Sequence, residues 1–516
     1  MAMLKYPIGI QNFEKIRKDG FLYVDKTFLM YRLVQEGNYY FLSRPRRFGK
    51  SLLLSTLHAY FDGKKDLFDG LAIAGLETEW LQYPVLHLDL NAAKYSDIEA
   101  LNAILDVTLS DWETLYGRAD VEKTLSSRFM GVIRRAYEKT GRRVVILVDE
   151  YDKPLLQTIG NDALQTDYCN TLKAFYGALK TCDQYIRFAF LTGVTKFGKV
   201  SVFSDLNNLN DLSMDPRYTG ICGITETELH QYLDAGIEQL AFTNDMTRDE
   251  CYSALKDMYD GYHFRQNTEG VYNPFSVLNT FQNLVFDAYW FETGTPSFLV
   301  ELLKKHKYQL ENLEQVQTTA DVLNSIDAMS DNPIPVIYQA GYLTITGYDP
   351  RFKLYRLGFP NKEVEEGFMQ YLLPFYCSYS SVDAPFQVSL FVREVEAGET
   401  EKFLLRLKSF FADTPYELVK DLENHYQNVL FILSKLCGFY VKAEYHTSNG
   451  RIDMVLQTDR FVYVMEFKLD GTAEEALEQI EQKDYPLPFA ADGRRVVKIG
   501  LNFSSETRNI EKWVVA

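Results

Sequence analysis

NYYFLSRPRRFGKSLLL, residues 38–54, decides how the front of this chain is read. An apolar run, Tyr39–Leu42, leads into a basic loop, Arg44-Pro45-Arg46-Arg47-Phe48-Gly49-Lys50-Ser51, and a stretch with helical spacing follows over Ser51–Tyr60. The phosphate-binding pattern takes Gly, four free positions and then Gly-Lys-Ser/Thr. Here the last three residues stand, and Arg44 occupies the place of the first Gly. Gly-Lys-Ser/Thr alone turns up by chance in roughly one chain in four of this length. The context is more telling than the triplet: a strand before it and a helix after it, whose free N–H groups can receive an anion. Lys50 is then placed for the β/γ-phosphates of a nucleotide and Ser51 for Mg²⁺. Loss of the first Gly is tolerated if Arg44 can adopt its backbone angles. Arg46 and Arg47 contact the phosphates or stand in solvent.

A phosphate loop needs a carboxylate partner, and one follows about 100 residues later. VVILVDEYDKPLL (144–156) is an apolar strand ending in Asp149-Glu150. The C-terminal end of a buried parallel strand is where α/β sheets place their chemistry. Asp149 is expected to hold Mg²⁺ through water, and Glu150 to orient or deprotonate the attacking water. Asp152 and Lys153 read as turn and surface residues. A further strand, FAFLTGVTK (188–196), ends in Thr192, whose hydroxyl could sense the γ-phosphate. Together with Val85–Leu90 and the helical stretch Ile98–Leu115, these runs predict a parallel α/β sheet. The bland alternative is a basic loop, an acidic turn and a buried strand that share no chemistry.

Past Gly223 the pattern changes. ITETELHQYLDAGIEQL (224–240) and TRDECYSALKDMYDGY (247–262) read as helices, each opened by a Thr three residues ahead of a Glu. AGYLTITGYDPRFKLYRLGF (340–359) reads as a hairpin turning at Asp349-Pro350. Polar EVEAGETEKF (394–403) suggests a boundary. We expect three regions. Residues 1–223 form a phosphate-binding α/β domain. Residues 224–400 form a helical lid with a small β element, for which a winged-helix-like form is open. Residues 401–516 form a second α/β domain, with strands at Tyr440–Tyr445, Ile452–Gln457, Tyr463–Phe467 and Val496–Phe503 and helices at Leu418–Leu436 and Thr472–Lys483.

That last region carries a second constellation. Asp453 lies on one strand and Glu466-x-Lys468 on its neighbour. Alternation puts Glu466 and Lys468 on one face and Phe467 on the other. Two carboxylates from adjacent strands can ligate a hard divalent cation, and a lysine beside them can stabilise charge or position water. Phosphodiester hydrolysis needs these groups. Gln479 and Lys483 lie one turn apart on the flank of the following helix, and Glu423 on the preceding helix can face the same cleft. As rim charges of a hairpin, with Lys468 pairing Glu466 across solvent, the same residues would have no catalytic role.

Bulk properties narrow the classes. The N-terminus has no apolar signal core and no run approaches a membrane span, so a cytoplasmic protein is expected. Six cysteines show no CxxC spacing, and the seven histidines no ligand-like pairing. Net charge is −17, yet residues 1–60 hold ten Lys/Arg against four Asp/Glu. An acidic body with a basic front suits local phosphate binding and neither favours nor excludes nucleic acid.

YVDKT (23–27), SRPRRFGKSLL (43–53), VDEYDKPL (148–155), LTGVTKF (191–197), SDLNNLNDLS (204–213), YDGYHF (259–264), YNPFSVL (272–278), GYLTI (341–345) and LGFPNKEV (357–364) resemble the predicted AAA-type ATPase family common in anaerobic gut bacteria. The likeness spans about residues 5–365, and Arg-Pro-Arg-Arg-Phe-Gly-Lys-Ser is that family's own form of the phosphate loop. It implies ATP as the nucleotide, with Arg46, Arg47, Gly49, Lys50, Ser51, Asp149 and Thr192 around it. No trans arginine finger or second sensor arginine is visible, so ring assembly and oligomeric state stay open. Residues 420–504 resemble the PD-(D/E)xK nuclease superfamily, in the branch fused behind this ATPase, through GRID (450–453), MEFKLD (465–470), ALEQI (476–480) and Lys483-Asp484-Tyr485. The resemblance implies Asp453, Glu466 and Lys468 as the metal and catalytic core, with Gln479 and Glu423 as accessories. Mg²⁺ is the expected cation, Mn²⁺ an option, and DNA the expected partner ahead of RNA. The rival reading is an ATP-driven switch or scaffold whose last domain binds nucleic acid or a partner without cutting.

Overall fold

The structure is a computed structural model that describes residues 5–196, 202–203, 206, 208–290, 297–314, 316–324, 332–377, 379–412, 422–438, 442–445, 453–489 and 493–516. The chain divides into two compact units: residues 1–293 with 316–363, and residues 294–315 with 364–516.

In the first unit, strands β1 (Tyr39–Ser43), β2 (Val85–Asp89), β3 (Val144–Asp149), β4 (Ile186–Gly193) and the short β5 (Asn210–Asp211) form one sheet in the order β2-β3-β4-β1-β5. All its pairs are parallel. β1 and β3 are buried along their whole length, which is why they read as unbroken apolar runs. β4 lies between them, and Ser43 pairs with Gly193 and Val148 with Leu191. The ends of the three strands therefore lie level. The helix after β1 is Lys50–Phe61, and Ile98–Tyr116, Leu125–Thr140 and Asp162–Thr181 fill the later crossovers.

The same unit contains the helices Glu226–Thr243 and Arg248–Tyr259, each opened by a capping box, Thr225 with Glu228 and Thr247 with Glu250. Leu229, Leu233, Ile237 and Leu240 recur at helical spacing and pack with Leu255, Tyr259, Val277 and Phe281. A three-stranded antiparallel sheet of β6 (Gln317–Thr318), β7 (Thr344–Asp349) and β8 (Leu354–Gly358) contains the expected hairpin.

In the second unit, β9 (Lys442–Tyr445), β10 (Met454–Gln457), β11 (Phe461–Leu469), β12 (Arg495–Ser504) and β13 (Asn509–Val515) form a mixed sheet in the order β13-β12-β11-β10-β9. β10 and β11 are antiparallel. β11 and β12 are parallel and joined by the helix Ala473–Gln482. Tyr440 and Ile452, expected as strand residues, lie outside the described residues. Residues 394–403 span the last turn of the helix Asp383–Ala397, a two-residue turn at Gly398-Glu399 and the first turn of the helix Thr400–Phe410, and Tyr463 on β11 donates its hydroxyl to Val395 O at 2.9 Å. All six cysteines are free thiols. Among the described residues no helix is long and apolar enough to cross a membrane.

Gly500, which pairs with Glu466 across β11 and β12, sets how closely the helix Ala473–Gln482 approaches the sheet. A Cβ at Gly500 would lie 2.2 Å from Ala473 O and 2.6 Å from Leu477 N. Both are backbone atoms, so the helix would have to move. Gly500→Ala should destabilise the chain by about 1–3 kcal/mol in urea unfolding; a wild-type midpoint and slope would show that the approach is not tight.

Candidate functional site

Two groups of polar side chains meet at strand ends, one in each unit. In the first, β1 delivers the phosphate loop and β3 delivers Asp149-Glu150. Lys50 is 4% exposed, and its Nζ donates to Arg44 O and Pro45 O, both at 3.1 Å. The same ammonium stands 3.9 Å from Glu150 Oε1. Gly49 is the N-cap of the helix Lys50–Phe61, with no side chain capping it, so the first N–H groups point into open space. A cavity of about 460 Å³ opens there. Its walls include Arg46, Arg47, Gly49, Lys50, Ser51 and Glu150, and also Lys153 and Asn91. An apolar side of the same cavity comes from Pro7, Ile8, Ile10, Pro274, Phe275 and Leu278.

Arg44 does not imitate the missing glycine. Positive φ falls instead at Arg47 (69°) and Gly49 (92°), and Arg44 has none. Its guanidinium is buried, donating to Ser43 O at 2.9 Å, Ser213 O at 2.8 Å and Tyr218 O at 3.3 Å, and it lies 3.8 Å over the Phe264 ring. Arg44 thus ties the loop to the chain after β5. Arg47 packs 4.5 Å over the Phe275 ring.

Thr192 is fully buried and donates to Asp149 Oδ1 at 2.7 Å, so its hydroxyl faces the carboxylate and is not part of the cavity wall. Glu150 holds a left-handed φ of 53°, which turns its side chain away from the strand direction. Asp152 departs from the turn-and-surface expectation. It is wholly buried and accepts from Val194 N (3.2 Å), Thr195 N (2.6 Å) and Thr195 Oγ1 (2.6 Å), pinning the chain after β4 to the chain after β3. Burial and the neighbouring Glu150 push its carboxyl up to about 6. Lys153 donates to Asn91 O at 3.0 Å and lines the cavity.

In the second group Glu466 is the hub. It is 3% exposed. Its Oε1 accepts from Gln479 Nε2, and from Lys468 Nζ at 3.4 Å; Lys468 also donates to Gln479 Oε1 at 2.6 Å. Gln479 reaches the hydroxyl of Tyr485 at 3.4 Å. Glu466 and Lys468 share the face covered by the helix Ala473–Gln482, as alternation predicts. Among the described residues Glu466 Oε2 is buried with no side-chain hydrogen-bond partner, and the Asp453 main chain lies close to this carboxylate. Asp453 precedes the Met454–Met465 pair of β10 and β11, and its Oδ2 accepts from Phe467 N at 2.9 Å. Burial first, and then the charge of Asp453, push Glu466 up to about 7; burial pushes Asp453 up to about 6. Two carboxyls that resist ionising together, one with a buried oxygen that has no side-chain partner, fit a hard cation. No group of three or more His, Cys, Asp or Glu comes together among the described residues, so further ligands would have to be water, main chain or substrate oxygen. Lys483 caps the same helix and is exposed. Glu423 belongs to the helix Leu422–Gly438, but its side chain lies outside the described residues.

Residues 7–203 match the family described as Predicted AAA-ATPase, and residues 421–513 match the PD-(D/E)XK nuclease superfamily. An uncharacterised protein in the vnfD 5′ region of Azotobacter chroococcum mcd 1 is 37% identical, over 100% of this chain and 99% of its own length. The chain belongs to this predicted AAA-ATPase family with a C-terminal PD-(D/E)XK domain. The ATPase-like region contributes the polar wall of the cavity, and the nuclease-like domain contains the Glu466 hub. Sequence reasoning missed the cavity walls at residues 7–10 and 274–278. The motif YNPFSVL was visible but had no mechanism attached.

The hub makes a pH prediction. Both carboxyls titrate above ordinary carboxylate values in the fold, so their protonated forms favour folding. That stability is complete below the unfolded values and is lost as pH rises through about 6 and then about 7. In chelator, the melting temperature should therefore fall between about pH 5 and about pH 8, and fall less in Glu466→Gln. Identical profiles for the two proteins would contradict the hub's electrostatics.

Proposed function

We propose that the chain binds and hydrolyses ATP at the phosphate loop, and that its C-terminal domain hydrolyses phosphodiester bonds in nucleic acid, DNA ahead of RNA. The observation that carries the nuclease half is Glu466, with one oxygen held by Gln479 and Lys468 and the other without a side-chain partner beside Asp453. The ATPase half is supported by Lys50, Ser51 and Glu150 around one cavity.

At the phosphate loop, Lys50 exchanges the carbonyls of Arg44 and Pro45 for the β/γ-phosphates. The open N–H groups after Gly49 cradle the same anion, and Arg46 and Arg47 border it. Ser51 and Asp149 would hold Mg²⁺, with Asp149 kept in orientation by Thr192. Glu150 orients the attacking water and takes its proton. In the second site Asp453 and Glu466 would hold Mg²⁺ or Mn²⁺. A divalent cation at either place supplies charge neutralisation on phosphoryl oxygens and an acidified water. Lys468 stabilises charge developing on the scissile phosphate, and Gln479 fixes both Glu466 and Lys468. Glu423 is proposed as the accessory carboxylate from the preceding helix.

Four variants and the wild type test this. Glu150→Gln should retain ATP in calorimetry while turnover falls roughly 10²–10⁴-fold, and Lys50→Ala should lose turnover without unfolding. In a metal titration Asp453→Ala should lose the C-terminal cation, because too few oxygens remain. Lys468→Ala should keep it and yet cut plasmid DNA roughly 10²–10³-fold more slowly. Unchanged ATPase activity in Lys50→Ala would remove the first assignment. Cation binding by Asp453→Ala equal to wild type, or a wild type that binds metal and nucleic acid without cutting, would replace the nuclease with the scaffold.

A further inference from the structure

Residues of three motifs, YNPFSVL, GYLTI and LGFPNKEV, hold no role in the chemistry above, yet Ser276, Gly341 and Glu363 from them connect to the phosphate loop through Trp290 and Pro45. Trp290 is 7% exposed, and its indole Nε1 donates to Arg46 O at 3.1 Å. The ring packs against Tyr342, with centroids 5.1 Å apart. Gly341, at φ +96°, has no room for a side chain: a Cβ would lie 2.6 Å from Pro45 Cβ and 3.5 Å from Trp290 Cζ2. The backbone N–H of Trp290 donates to Glu363 Oε1 at 2.8 Å, and the hydroxyl of Ser276 donates to the same oxygen at 2.8 Å. Ser276 belongs to the helix Pro274–Asn283, whose Pro274, Phe275 and Leu278 line the cavity. Arg47 closes the circuit by stacking on Phe275.

We infer that Trp290 and Glu363 are positioning residues of the nucleotide site, clamping the Arg46 peptide of the phosphate loop to the helix Pro274–Asn283 so that loop and apolar wall act as one body. The inference rests on the ATP reading of that cavity. Glu363 is completely buried, and its second oxygen has no hydrogen-bond partner. One oxygen of Glu363 accepts from two segments at once, a role a neutral amide can also perform. Burial pushes this carboxyl up to about 8, which favours the neutral acid that Gln imitates. The Trp290 bond to Arg46 O makes the indole a reporter: phosphates that shift the Arg46 peptide alter a main-chain acceptor of the indole.

The test uses the full chain and Mg·ATP, with affinity read by calorimetry and environment by tryptophan emission. ATP should change wild-type emission, and the change should be absent in Trp290→Phe although Trp80, Trp112 and Trp513 remain. Trp290→Phe keeps one aromatic ring but removes the pyrrole half of the indole together with its N–H donor, so ATP affinity should fall roughly five-fold. Glu363→Gln should bind ATP like wild type, whereas Glu363→Ala should bind roughly ten-fold or more weakly. Should Glu363→Ala fail to fold, Ser276→Ala, which cuts one arm only, should still weaken ATP binding. Wild-type affinity and an unchanged emission response in Trp290→Phe would overturn the clamp and leave the ATP reading standing. No heat of ATP binding in the wild type would overturn both.

Discussion

A strand buried on both faces can show polar chemistry only where it ends, and that constraint organises the first unit. β1 and β3 are buried throughout, so the loop after β1 and the carboxylates closing β3 are the polar groups these strands can offer. β4, between them, brings Thr192 against Asp149 and lets Asp152 pin the next turn. The second unit follows a related rule. Central β11 is apolar until Glu466 and Lys468, near its C-terminal end, where the helix Ala473–Gln482 covers them and contributes Gln479. Both proposed sites are therefore built from rigid strand ends, with one helix closing over each.

Arg44 shows how the loop is built without its first glycine. The left-handed backbone angles are carried by Arg47 and Gly49, so position 44 is free to hold a long side chain. That side chain turns inward and spends its donors on the carbonyls of Ser213 and Tyr218. A glycine there would leave the loop mobile and those carbonyls unpaired. The substitution exchanges backbone freedom for an anchor.

Much of this was legible in the sequence for a physical reason: strand runs, capping boxes and alternation are local properties. Thr225 with Glu228, the hairpin at Asp349-Pro350, and the shared face of Glu466 and Lys468 needed only neighbours in the chain. What escaped was non-local. The burial of Asp152 depends on Thr195, and the contact of Trp290 with Arg46 spans the ATPase-like region and the helical stretch behind it. The apolar wall made by residues 7–10 and 274–278 likewise needs the fold to bring distant segments together. No periodicity announces such meetings.

The central claim is that Asp453 and Glu466 form a cation site and not a buried hydrogen-bond knot. A crystal of the full chain grown with Mn²⁺, measured for anomalous scattering at the manganese edge, tests it most directly. The account predicts a peak within oxygen-ligand distance of Asp453 and of Glu466 Oε2, with Gln479 still on Oε1. A map with no peak there, and Lys468 and Gln479 alone satisfying Glu466, would contradict it.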